Sequence, residues 1–181
     1  MDVKKAIETR RAYRSLDPVP IDRDLIEDLA RCAILAPSCF NNQPARFDFV
    51  TGDRLVKMRE ALSRGNRWAH DASMIIAVHA ALENDCRVEE RQYYLFDAGL
   101  ATAMLILRAT ELGLVAHPIA GYDEGAVRET LGIPEADRVI TLVIVGRHAD
   151  TIRESLSQKQ AAAEPERPGR LSFEEFARIF D

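Results

Sequence analysis

The chain has 181 residues, 47% of them hydrophobic and 29% charged, proportions that place it among folded globular proteins and set aside the disordered, collagen-like and coiled-coil classes. A formal net charge of −5 argues against a nucleic-acid binder held mainly by phosphate neutralisation. The length suits a single domain, with residues 1–150 as the main unit and 151–181 as a C-terminal arm and short helix expected to pack on a partner subunit.

Residues 3–11 read as a short helix, and Asp22 is placed to cap a second, with Leu25, Ile26, Leu29, Ala33 and Ile34 at helical spacing and Pro37 as its stop. Residues 47–51 alternate like a strand, Asp53 opens a third helix through Leu62, and Gly65 ends it. Met74–Val78 is short and continuously apolar, the pattern of a buried strand, and Val139–Val145 repeats it. Between them the longest helix is expected over Val88–Leu112, closed by Gly113. From Tyr93 to Leu107 it is apolar on almost every face, so it must be buried all round, either within the core or partly against another subunit. Asp123 caps a helix ending at Leu131–Gly132, and Pro134 marks the turn before the last strand. Residues 157–170 read as a polar linker or extended arm. Ser172 and Glu175 then form a capping box, and Phe173, Phe176, Ile179 and Phe180 make an apolar stripe that needs a surface to dock on.

The uncharged stretch Ala98–Leu107 falls far short of the about 20 residues that span a bilayer. The first residues carry charges and lack an apolar signal core, so a cytoplasmic protein is expected. Cys32, Cys39 and Cys86 are odd in number and form no CxxC pair, which predicts reduced, mostly buried thiols rather than a disulfide framework or a zinc site. His70, His79, His117 and His148 are scattered without ligand spacing, so neither a metal site nor a side-chain acid–base mechanism is expected. Walker A, GxGxxG, GxSxG and HExxH motifs are absent.

Two segments carry chemistry. Arg10-Arg11-Ala12-Tyr13-Arg14 gathers three cations in five residues, and converging guanidinium forks suit a phosphate dianion, while a solvated helix end complementing the macrodipole is the other reading. Ala36-Pro37-Ser38-Cys39-Phe40-Asn41-Asn42-Gln43-Pro44 puts a hydroxyl and three carboxamides into a turn. Carboxamides donate and accept together, as recognition of an imide edge on a planar heterocycle requires, although an Asx-rich turn is the alternative.

These two segments, with Asp97-Ala98-Gly99, Glu111-Leu112-Gly113-Leu114, Pro118-Ile119-Ala120-Gly121-Tyr122-Asp123 and Leu131-Gly132-Ile133-Pro134, follow one another in the order and spacing of the FMN-dependent nitroreductase family. The chain resembles that family from about residue 3 to residue 147, with a weaker echo at 167–177. The resemblance implies an α+β fold with a central antiparallel sheet flanked by helices, an intertwined homodimer, and FMN at the subunit interface. Carried over by position, it puts Arg10, Arg11 and Arg14 near the FMN phosphate and ribityl chain, Arg14 also near the N1/C2 edge, and Ala12 beside them. Ser38, Asn41 and Gln43 would line the pocket from the turn, and Asn66 would read the pyrimidine edge. Pro118, Ile119, Ala120 and Gly121 would cover one ring face, with a backbone N–H near Ala120 or Gly121 directed at N5. Arg170, or failing it Arg167, matches the C-terminal phosphate ligand.

On that resemblance the protein is an oxidoreductase using NADH or NADPH to reduce a small electrophile, such as a nitroaromatic or quinone, by ping-pong two-electron transfer, with the flavin rather than a side chain carrying the chemistry. Neither nucleic acid nor membrane is an expected partner. Two departures from the family pattern stand out: Ala12 replaces the usual Ser, and Ala45 replaces the common Trp after Gln-Pro. They support the alternative reading, a non-catalytic flavin-binding or sensing dimer of the same fold.

Overall fold

In the computed structural model, which describes residues 1–180, the chain runs α1 (Val3–Thr9), β1 (Leu16–Asp17), α2 (Arg23–Ile34), β2 (Ala45–Val50), α3 (Gly52–Glu60), β3 (Met74–Ala80), β4 (Arg87–Val88), β5 (Arg91–Gln92), α4 (Tyr94–Glu111), β6 (Val115–Ile119), α5 (Glu124–Leu131), β7 (Arg138–His148), α6 (Gln158–Ala163) and α7 (Phe173–Phe176). Tight 3-10 turns at Cys39–Asn41 and Arg64–Asp71 carry side chains of the candidate site. Strand β7 is the axis: it pairs antiparallel with β3 along one edge and with β6 along the other, and Leu16 of β1 lies opposite His148 at its far end. Strand β2 completes the sheet by pairing antiparallel with β3. The fold is α+β with a central antiparallel sheet flanked by helices, as the sequence predicts.

Alternation along the strands divides the core. Ile75, Ala77, Leu142 and Ile144 face a cluster with Leu55 and Met58 of α3, Val127 of α5 and Trp68. Met74, Ile76, Val78, Val143 and Val145 face a second cluster with Leu29 and Ala33 of α2 and Ala98, Ala101, Leu105 and Ala109 of α4. A sheet covered on both faces explains why β3 and the centre of β7 are continuously apolar rather than alternating.

The helix ends follow local chemistry. The Asp22 carboxylate accepts the Leu25 N–H at 2.8 Å and that of Asp123 accepts the Ala126 N–H at 3.0 Å, satisfying donors that the first turn leaves free. Gly132, at φ 69°, closes α5 in the left-handed conformation. The third helix begins one residue earlier than expected and ends at Glu60, and Gly65 falls in the 3-10 turn that follows.

The longest helix is a larger correction: it begins at Tyr94, and the residues expected to form its first turns make the hairpin β4–β5, with Glu89 at φ 58° in the turn. The Asp85 carboxylate accepts the N–H groups of Tyr93 and Tyr94 at 3.0 and 2.9 Å, which starts the helix there. Nor is α4 buried all round within one chain. Its Ala98, Ala101, Leu105 and Ala109 side is covered, whereas Leu95, Phe96 and Met104 are exposed.

The expectation of three reduced thiols is also corrected. Cys39 and Cys86 form a disulfide across 47 residues of sequence, and Cys32 alone is free. Asp97 of α4 accepts the Cys39 N–H, while the Cys86 carbonyl accepts the Tyr93 N–H. Both cysteines are thereby drawn to the N-terminal end of α4. The predicted arm is partly helical, since Ser157 and Gln160 make a capping box that starts α6. The terminal helix is one turn long, and Leu171, Phe173, Phe176, Ile179 and Phe180 are all exposed.

His79 of β3 is clamped between carboxylates, with Nδ1 2.7 Å from Asp137 and Nε2 3.4 Å from Asp48. Burial pulls its pKa down, but hydrogen bonds and charge from Asp48 and Asp137 outweigh it and the net shift is upward. The charged imidazole therefore stabilises the fold fully below the unfolded-state pKa, and that contribution is lost as pH rises through the higher native-state pKa. Urea midpoints measured across this range should fall with rising pH in the native protein. His79→Gln should remove that component of the pH dependence, and an unaltered profile would refute the clamp.

Candidate functional site

The segment leaving α1 lays its cations beside residues 164–170, a C-terminal strap. Burial, followed by the charges of Arg167 and Arg170, lowers the pKa of the Arg10 guanidinium, and Arg167 also donates to the Arg10 carbonyl. The Arg14 guanidinium lies 6.0 Å from the centre of the Trp68 ring. His117 of β6 sits in the same neighbourhood, its Nδ1 3.0 Å from the Tyr13 carbonyl and its ring 4.7 Å from that of Trp68. A carbonyl only accepts, so Nδ1 carries the proton. Burial pushes the His117 pKa down to about 4 against the pull of that hydrogen bond, and the Arg14 and Arg10 charges act in the same direction as burial. The imidazole is thus neutral at neutral pH. Among the described residues none of Arg10, Arg14, Arg167 and Arg170 makes an ion pair.

The strap is anchored from beneath. Glu164, 4% exposed, uses Oε1 to accept the backbone N–H groups of Arg14 and Ser15 at 2.8 and 2.7 Å. Arg11 does not stand free: its guanidinium donates to the carbonyls of Glu164, Pro165 and Glu166 and lies 4.5 Å from the Tyr13 ring centre. Ala12 is half-buried between them and supplies no hydroxyl. Glu164 was not among the predicted residues, because a glutamate within Ala-Glu-Pro-Glu-Arg reads as solvated. The Ser157-x-x-Gln160 spacing was the one local signal that the segment is ordered.

Across from these cations, the Gly121 carbonyl accepts the Ser63 N–H at 3.1 Å and the Asn66 side-chain amide at 2.8 Å. A Cβ on Gly121 would lie 2.5 Å from Ser63 Oγ and 2.7 Å from Asn66 Nδ2, so this close approach requires glycine. Asn66 Oδ1 accepts the Trp68 indole N–H at 3.3 Å. Pro118 and Ala120 are exposed and Ile119 is buried at the end of β6. The structure thus brings Arg10, Arg14, Asn66 and Gly121 around one buried Trp68–His117 pair, and sets Arg170, whose guanidinium donates to the Pro168 and Gly169 carbonyls, near Arg10.

Ser38, Asn41 and Gln43 are elsewhere. Ser38 Oγ accepts the Gln43 N–H at 3.0 Å and Gln43 Nε2 donates to the Asn41 carbonyl at 3.3 Å. Phe40, Asn41 and Gln43 hold φ values of 48°, 58° and 49°, and a left-handed residue other than glycine costs roughly 1 kcal/mol or more. Phe40 is left 86% exposed. The turn borders a cavity of about 300 Å³ lined also by Ala45, Phe47 and Asp97, with the small Ala45 side chain on the same strand face as Phe47 and Phe49. Its contacts are with α4, on the opposite side of the sheet from Trp68. Among the described residues no hydrogen bond joins the turn to the guanidinium cluster.

Comparison with known proteins assigns the family. The profile described as the nitroreductase family matches residues 7–67 and 54–147. A protein of Stenotrophomonas maltophilia (strain K279a), provisionally named as an NADH dehydrogenase/NAD(P)H nitroreductase, is 31% identical over 194 residues, covering 94% of this chain and 92% of its own. A solved oxidoreductase containing FMN is 27% identical, with a TM-score of 0.78 over 91% of this chain and 85% of its own. A nitroreductase-fold protein from Exiguobacterium sibiricum, solved in complex with FMN, is 21% identical with a TM-score of 0.81, covering 99% of this chain and 98% of that one, and shows the shared fold. Matched along most of its length by the family profile and by a full-length relative, this chain belongs to the nitroreductase family.

Proposed function

We propose that the protein is an FMN-dependent oxidoreductase that takes electrons from NADH or NADPH and reduces a small electrophile, a nitroaromatic or a quinone, in a ping-pong cycle. The observation that carries this reading is the convergence of Arg10, Arg14, Arg167 and Arg170, four guanidinium groups that make no ion pair among the described residues. Like charges gather at a cost unless a dianion joins them, and guanidinium forks match phosphate oxygens.

The donor set fits FMN. Arg10, Arg167 and Arg170 would hold the phosphate, Arg14 the N1/C2 edge, and Asn66 the pyrimidine edge, with Pro118, Ile119, Ala120 and Gly121 against one ring face. When bound, FMN supplies hydride transfer at N5 and two-electron delivery to the acceptor. Arg14 places a fixed positive charge where negative charge grows on reduction. His117, held neutral by burial, keeps a further cation out of a crowded cluster. Arg11 and Glu164 act on the strap, holding Arg167 and Arg170 in reach.

Ser38, Asn41 and Gln43 enter the same site only from a second copy, because within one chain they lie on the other face of the sheet. A homodimer with FMN at the interface is supported by the exposed Leu95, Phe96 and Met104 of α4 and by the apolar tail around Phe173, Phe176, Ile179 and Phe180. In this reading residues 1–150 form one domain that works in the cytoplasm, and 151–181 pack as an arm on the partner.

The test is an anaerobic absorbance spectrum of FMN-reconstituted protein before and after NADH or NADPH, then after a quinone or nitroaromatic. The oxidised flavin band should bleach with the nucleotide and return with the acceptor. A bound band that neither nucleotide bleaches favours the non-catalytic sensing dimer, and absence of bound flavin overturns both readings.

A further inference from the structure

Trp68 has no part in the chemistry described above, yet it touches both groups that the site would offer to a planar ligand. Its indole is 1% exposed. The Arg14 guanidinium lies over one region of the ring at 6.0 Å, and the indole N–H reaches Asn66 Oδ1 at 3.3 Å. The polarity of the carboxamide follows from its neighbours. An indole N–H only donates and the Gly121 carbonyl only accepts, so Oδ1 must face Trp68 and Nδ2 must face Gly121, 2.8 Å away. Rotating the amide by half a turn would set N–H against N–H and oxygen against oxygen. The second Nδ2 hydrogen meets Ser63 Oγ at 3.5 Å, so what Asn66 keeps unspent is one lone pair of Oδ1, at the edge of the site.

We infer that Trp68 is a positioning residue, whose indole N–H holds Oδ1 of Asn66 in place so that its free lone pair faces the imide N–H of a bound ring, while its face steadies Arg14. This rests on the flavin reading, since it names what orients two of that site's groups. It differs from a packing role in depending on a single hydrogen atom. A ring of the same shape without N–H fills the core equally well but leaves Oδ1 unheld, with the carboxamide fixed only from its Nδ2 side by Gly121 and Ser63.

The chain contains one tryptophan, so biosynthetic replacement in a tryptophan auxotroph alters position 68 alone. Incorporating β-(3-benzothienyl)alanine keeps the bicyclic shape and removes the N–H, whereas 7-azatryptophan keeps both. FMN dissociation constants, read by flavin fluorescence and independent of turnover, should rise about tenfold for the benzothienyl protein, the weight of one modest hydrogen bond in affinity, and stay near native for the aza protein. Asn66→Ala should weaken binding by a similar factor, and adding the benzothienyl replacement to it should weaken binding no further. Equal affinities for native and benzothienyl proteins, or additive losses in the combination, would overturn the inference while leaving FMN binding intact. Failure of the native protein to bind FMN would overturn the functional reading and this inference with it.

Discussion

Arg14→Ala should weaken FMN binding at least tenfold and slow reduction of the bound flavin by NADH or NADPH, with the fold intact. The side chain is half-buried beside the Trp68 ring, and among the described residues no carboxylate pairs with it. Losing one hydrogen bond to a charged group costs about 1.5–3 kcal/mol, and each 1.4 kcal/mol is about tenfold in affinity. Arg14→Lys should recover part of the affinity through charge but less of the reduction rate, because an ammonium lacks the planar fork. Fluorescence titration with FMN and anaerobic stopped-flow reduction separate the two effects. Native values for both in Arg14→Ala would remove Arg14 from the site.

Glu164→Ala should be the most damaging single change to the strap. Its carboxylate is buried and satisfies two main-chain N–H groups, those of Arg14 and Ser15. Each bond to a charged acceptor is worth about 1.5–3 kcal/mol, and the alanine leaves both donors without a partner. A loss of about 3 kcal/mol or more in urea unfolding is expected. Freed from this anchor, the strap should become a substrate for trypsin after Arg170, which Leu171 follows, under conditions that leave the native chain whole, and FMN affinity should fall because Arg167 and Arg170 of the cluster ride on it. Glu164→Gln keeps an acceptor oxygen and should lie between the two. A strap that resists trypsin in Glu164→Ala would show that Arg11, with its three carbonyl partners, holds it unaided.

What the sequence made readable was whatever depends on neighbours close along the chain. Asp22, Asp123 and Gly132 announce helix ends because a cap bonds within its own first or last turn. Strands β3 and β7 announce themselves because a sheet covered on both faces needs unbroken apolar runs. What escaped depends on distant partners. Strand β6 contains His117 and Pro118, a composition that argues against a strand; it is tolerated because β6 pairs with β7 along a single edge. The true start of α4 is fixed by Asp85 from outside the helical pattern. A separation of 47 residues between Cys39 and Cys86 carries no signal of pairing.

The site divides in the same way. Resemblance points to Arg10, Arg14 and Asn66, which the structure sets around Trp68 and His117, and to Arg170, which it sets near Arg10. It also grouped Arg11 with the phosphate ligands, and only the folded strap reveals the three carbonyls that occupy its guanidinium. Trp68 attracted no notice in sequence, since a lone tryptophan reads as core until its indole N–H is seen on a carboxamide.

The placement of the guanidinium cluster and the Ser38–Gln43 turn on opposite faces of one sheet has a genetic consequence. In the proposed dimer each site draws one half from each chain, so two alleles damaged in different halves are not equivalent to two copies of either. A chain altered at Arg14 joined to a chain altered in the turn assembles one site with both defects and one with neither. Such a pair of individually inactive alleles would complement each other, restoring activity in mixed dimers up to half that of the native dimer, while two alleles damaged in the same half would not.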